Sequence, residues 1–224
     1  VNFNLQIDLF SIRKLKNLDI RNYDVIIDTA DRSSGIHDDL IQEKLKIIRG
    51  ENNDYVLYIY LSSISIYDTK INKIDEQSKI KLENQYQLNK LKNEELICQN
   101  KKNNKILRLS NIWGIDSPKG TFIGDQIFNL KNGIPLEINE NDFESYIDLV
   151  HFRDLSRLIF SIIISKTTKN FILNICSGCS FQVSFLKNKI KNKEYIKALS
   201  LCQFKEIFST SYIELIGLKA PANF

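Results

Sequence analysis

The segment Tyr55-Val-Leu-Tyr-Ile-Tyr-Leu-Ser-Ser-Ile-Ser-Ile-Tyr67 decides how this chain is read. Residues 55–61 are aromatic, aliphatic or β-branched without a polar break. Such a run suits a strand buried on both faces, as in a parallel sheet. The run then ends abruptly in serines. Upstream, Asp24-Val-Ile-Ile-Asp-Thr-Ala30 is a second compact apolar run that ends in small and polar residues. Downstream, Lys105-Ile-Leu-Arg-Leu109 is a third. Helical patterns separate the three. In 38–49, Leu40, Ile41, Leu45 and Ile48 share one face before Gly50, and 84–102 forms the second helix.

Strand, helix, strand, helix, strand implies right-handed βαβ units. The expected fold is α/β: a partial Rossmann-like parallel sheet flanked by helices, with 55–61 central between 24–30 and 105–109. No earlier strand pattern supplies it with a neighbour, so 24–30 is expected to form an exposed edge or to be paired in a non-native way. After Gly114 the pattern loosens into short apolar pieces. Residues 1–114 are therefore expected to form the sheet domain. Residues 115–224 are expected to be mainly a small C-terminal α/β substrate-binding region, with some segments returning to the sheet.

Composition excludes more than it assigns. The 224 residues are 43% hydrophobic and 26% charged, with a net charge of +4. Lysines are spread along the chain. The basic run Lys187–Lys193 has no aromatic companions and reads as a solvated helix face, so nucleic acid is not an expected partner. No apolar run approaches membrane-spanning length, and no secretory leader is evident. Cys176-Ser-Gly-Cys179 has the spacing of a redox pair or of half a zinc site. The only histidines, His37 and His151, are isolated, so no metal is expected. Reduced thiols and a cytoplasmic location are the expectation.

Chemistry concentrates at two places. In an open parallel sheet, ligands bind beyond the carboxyl ends of the strands, where Ser62 and Ser63 stand. The plainer alternative is that these hydroxyls satisfy backbone groups at a strand end. Tyr86-Gln-Leu-Asn-Lys90 places a phenol and an ammonium on one helical face. A cation beside a phenol favours the phenolate, which suits a general acid/base. With nine tyrosines and abundant lysine, one such pair is expected by chance.

Order gives the pair its weight. Ser62-Ser63 with Tyr67, Tyr86 with Lys90, and Arg108, Asn111 and Gly114 follow in sequence. Val150-His-Phe-Arg-Asp-Leu155 and Phe171-Ile-Leu-Asn-Ile-Cys-Ser-Gly178 come later. Together with Tyr23–Ala30, this set resembles the extended short-chain dehydrogenases/reductases of the nucleotide-sugar epimerase/dehydratase type. The resemblance runs from about Gln6 to about Leu218. It implies Tyr86 as catalytic acid/base and Lys90 as the ligand of the nicotinamide ribose. It implies Ser63 as the holder of the substrate oxygen and Asn111 as a contact of the sugar nucleotide. Asp8, Ala30 and Leu109 are implied to line the cofactor, NAD or NADP. A homodimer through the helices at 38–49 and 84–102 is implied as well.

The chain departs from the family pattern at several positions. It contains no Gly-x-x-Gly-x-x-Gly loop, the element that receives a pyrophosphate. Gln87 and Asn89 stand where Gly and Ser are common, and Asp68 replaces a usual Gly. The expected activity is an NAD(P)-dependent epimerase, dehydratase or reductase acting on a nucleotide-linked sugar. The alternative is a truncated or degenerate non-catalytic relative that keeps the fold and binds no dinucleotide.

Overall fold

The structure is a computed structural model that describes residues 6–8, 23–29, 56–68, 74–100, 103–114, 117–134, 146–178 and 180–184. The expected helix at 38–49, Ala30 and the 187–193 run lie outside the described residues. The chain divides into two compact units. One comprises 1–108 with 168–173, and the other 109–167 with 174–224.

The first sheet is parallel and runs in the order β1 (Val25–Asp28), β2 (Leu57–Ser63), β3 (Asn104–Leu109), β6 (Phe171–Ile175). β1 pairs with β2 in register Val25 to Leu57 and Asp28 to Tyr60. The 55–61 run is thus central, as its apolar character requires. Among the described residues β1 is an edge, and its Ile27 is exposed. Pairing also brings Tyr58 beside Asp28, whose buried carboxylate accepts the phenol hydroxyl at 2.7 Å.

One helix, α1 (Gln85–Asn100), covers a face of this sheet. Its start is fixed by a capping box. The Asn84 side chain accepts from the Gln87 N–H at 3.0 Å, and the Gln87 side chain accepts from the Asn84 N–H at 3.2 Å. Gln87, an unusual residue beside this kind of Tyr, therefore has a local role. Leu96 and Ile97 pack on Tyr58, Tyr60 and Ile106. Each such buried side chain contributes about 1.5–3 kcal/mol.

In the second unit, β4 (Asn111–Trp113) pairs parallel with β5 (Tyr146–His151), which pairs antiparallel with β7 (Ser180–Gln182). Helix α2 (Phe122–Lys131) packs Ile123 on Trp113 and Leu149. Helix α3 (Phe152–Ser165) opens in the Val150–Leu155 motif. The His151 side chain caps it by accepting from the Arg153 N–H at 3.2 Å. Lys166 ends it in the left-handed region, at φ 50°. Gly114 has no room for a side chain, since a Cβ there would lie 2.5 Å from the Phe152 ring.

Lys105 is fully buried at the start of β3. Its ammonium donates to the Asn103 side chain at 2.9 Å and lies 5.4 Å from the Phe171 ring centre. Burial pushes it down from 10.5 to about 8. The unfolded chain holds this proton more tightly. The folded state is therefore penalised below pH 8, and the penalty fades as pH rises toward 10.5. At about 1.4 kcal/mol per pH unit the penalty is about 3 kcal/mol. Losing the Asn103 bond returns about 1 kcal/mol of it. Lys105→Met should therefore raise stability at pH 7 by about 2 kcal/mol, and the gain should disappear by pH 10.5. Urea unfolding of both proteins at the two pH values checks the sign.

Candidate active site

Lys90 is the pivot of the site. Although it is a lysine, it is only 6% exposed. Its Nζ donates to the carbonyl of Leu61 at 2.6 Å, which ties α1 to the carboxyl end of β2. The ammonium lies 5.6 Å from the Tyr86 ring centre and 5.1 Å from that of Tyr60. The i, i+4 spacing thus brings Tyr86 and Lys90 together, as a helix dictates. Cation–π attraction to two rings, with a carbonyl acceptor, compensates for burying the charge.

Ser63 closes β2 and caps the short 3-10 turn Ile64–Ile66. Its hydroxyl accepts from the Ser65 N–H at 3.1 Å and donates to the Ser65 hydroxyl at 2.9 Å. The plain strand-end role is therefore real for this residue. Ser62, one position earlier, points instead to Glu94 of α1 and donates to its carboxylate. Glu94 also receives Arg108 of β3 on both oxygens, with Nη2 to Oε2 at 2.7 Å and Nε to Oε1 at 3.1 Å. Arg108 donates its remaining arm to the Tyr67 hydroxyl at 2.5 Å. Burial opposes the guanidinium charge, but Glu94 and Tyr67 outweigh it and hold its pKa above the ordinary value. All four side chains are at most 4% exposed.

The remaining expected residues are dispersed. Asp8 is exposed and accepts the Tyr23 hydroxyl at 3.1 Å. Leu109 is the half-buried last residue of β3. Asn111, exposed at the start of β4, donates to the Asp148 carbonyl at 3.4 Å. Asp148 itself gathers three donors, from the Ser110 hydroxyl at 3.0 Å, the Ser177 hydroxyl at 2.8 Å and the Ser177 N–H at 2.7 Å. Sequence reading overlooked Glu94 and Asp148. The signal for Glu94 was available, since Tyr86, Lys90 and Glu94 recur at i, i+4 and i+8. Asp148 draws its partners from distant segments and left no such trace.

Lys90 and Tyr86 thus stand side by side near the carboxyl end of β2, the strand that Ser63 closes. At the start of α2, by contrast, the Asp125 carboxylate takes the Gly120 N–H at 2.8 Å. An anion would meet an acidic side chain there.

Solved structures share this fold. The UDP-glucuronic acid 4-epimerase from Bacillus cereus, solved in complex with NAD, matches at 18% identity with a TM-score of 0.68. The match covers 81% of this chain and 64% of that one. The dTDP-glucose 4,6-dehydratase from Bacillus anthracis str. Ames, also with NAD, matches at 15% identity and a TM-score of 0.67, over 82% and 62%. The UDP-N-acetylglucosamine 4-epimerase from Bacillus cereus matches at 18% identity and 0.69, over 97% and 78%. This chain has their fold. It spans less than two thirds of the length of the first two. No protein-family model matches the chain, and no curated protein matches it in sequence. Among the described residues, no helix is long and apolar enough to cross a membrane.

Proposed function

We propose that this chain belongs to an NAD(P)-dependent epimerase, dehydratase or reductase acting on a nucleotide-linked sugar, and carries its reacting pair. The observation that supports this most is Lys90, a buried ammonium fixed between the Tyr86 ring and the end of β2. The solved proteins of the same fold are named for UDP- and dTDP-sugars, and two of them hold NAD.

In this reading Tyr86 takes a proton from a sugar hydroxyl. Lys90 holds the nicotinamide ribose and keeps positive charge beside the phenol. Ser63 orients the sugar oxygen, and doing so requires its hydroxyl to leave Ser65. Asn111 is assigned to the sugar nucleotide, and Asp8, Ala30 and Leu109 to the cofactor. When bound, the dinucleotide would accept a hydride from the sugar carbon. Pairing of two copies through α1 belongs to the same reading, with Leu88 and Leu91 half-buried and Cys98 exposed.

The test is titration of the chain with NADH and NADPH by fluorescence, followed by a turnover assay over a panel of UDP- and dTDP-sugars. The 224-residue chain contains no Gly-x-x-Gly-x-x-Gly loop and is expected to bind weakly. A version carrying such a loop after an N-terminal strand is expected to bind and turn over. If that version binds neither cofactor, the non-catalytic alternative replaces this reading.

A further inference from the structure

The Ser62–Glu94–Arg108–Tyr67 network is poorly explained by stability. Two buried charges lose their hydration, and an apolar pair of similar volume often does as well or better. What a fully bonded network gives is a single geometry. Its position says which geometry. Leu61 accepts from Lys90, and the next residue, Ser62, donates to Glu94. Lys90 and Glu94 are one helical turn apart, so two clamps join one turn of α1 to two consecutive residues of β2. Tyr86 lies one turn before Lys90. A slide or rotation of α1 would break both clamps together.

We propose that Glu94 is the positioning residue of the Tyr86–Lys90 pair, holding α1 in register against the strand end that carries Ser63. This rests on the reading of that pair as the reacting groups. Arg108 is the buried counter-ion of Glu94, and its other arm is held by the Tyr67 hydroxyl.

The experiment compares wild type, Glu94→Gln and the double variant Glu94→Met with Arg108→Met. Trace acetylation followed by peptide mass spectrometry gives the labelling rate of Lys90 relative to exposed Lys92 on the same helix, and urea unfolding gives stability. The double variant should keep wild-type stability, yet Lys90 should label roughly tenfold faster, as expected of a local opening. Glu94→Gln should move in the same direction. Wild-type protection of Lys90 in a double variant of wild-type stability overturns the proposal. If the double variant does not fold, Ser62→Ala and Ser62→Thr decide. Protection lost in the first and kept in the second supports positioning, and equal protection in both overturns it.

Turnover adds an independent arm. Positioning predicts a fall in kcat with KM nearly unchanged, and a shift in KM alone counts against it. If the version carrying the glycine-rich loop turns over no sugar nucleotide, the functional reading fails, and the labelling result still decides whether Glu94 sets the place of Lys90.

Discussion

Tyr86→Phe is expected to lower turnover of a nucleotide-linked sugar by roughly 10²–10⁴-fold, the contribution of a positioned acid/base, while dinucleotide affinity stays near wild type. The substitution removes one oxygen and leaves the ring. The ring is what Lys90 faces at 5.6 Å, so the ammonium keeps that neighbour, Tyr60 and the Leu61 carbonyl. Lys90→Ala should behave differently. On the proposed reading it removes the ribose ligand as well as the ammonium beside the phenol ring and the tie between α1 and β2, so affinity and turnover should both fall. The pair of variants separates chemistry from binding. Fluorescence titration and initial rates on a protein that includes the glycine-rich loop give both quantities. Undiminished turnover in Tyr86→Phe, with cofactor bound, would sink the acid/base assignment.

Much of the fold was legible because its strands are apolar runs whose character does not depend on distant partners. The 55–61 run reads as central, and β2 is central. Its boundary moved, however, and the strand continues through Ser63. Ser62 lies within the strand, and its hydroxyl meets Glu94, thirty-two residues away. A short-range reading assigns such a serine to a local cap, and only Ser63 plays that part. The Tyr86–Lys90 pair was legible because helical geometry fixes i, i+4 neighbours whatever the fold. Arg108 was recognised as part of a motif, but its partners were not. An ion pair between a helix and the next strand depends on how the two pack. Asp148 was hidden for the same reason, since Ser110 and Ser177 reach it from opposite directions along the chain. Gln87 looked like a departure from a pattern and proved to be half of a capping box.

Arg108→Ala should be the most damaging single substitution in the sheet unit, at about 3–5 kcal/mol, because it strands a buried carboxylate. Glu94 is 2% exposed, and among the described residues Arg108 makes three contacts to its two oxygens and Ser62 one more. Tyr67 loses the Arg108 contact at the same time. The truncation also removes the aliphatic stem that fills space between α1 and β3, which adds a packing loss. For a chain of this length, the destabilisation corresponds to a drop in Tm of roughly 6–20 °C. Ser62→Ala removes one neutral donor from the same carboxylate and should lose only about 1–3 kcal/mol. Arg108→Met combined with Glu94→Met removes the stranded charge as well and should recover most of the loss. The ranking is therefore Arg108→Ala, then Ser62→Ala, then the double Met variant, and urea unfolding of the three reads it directly. If Arg108→Ala lost less than about 1 kcal/mol, solvent would have to reach Glu94, and the carboxylate could not then be the rigid anchor of α1.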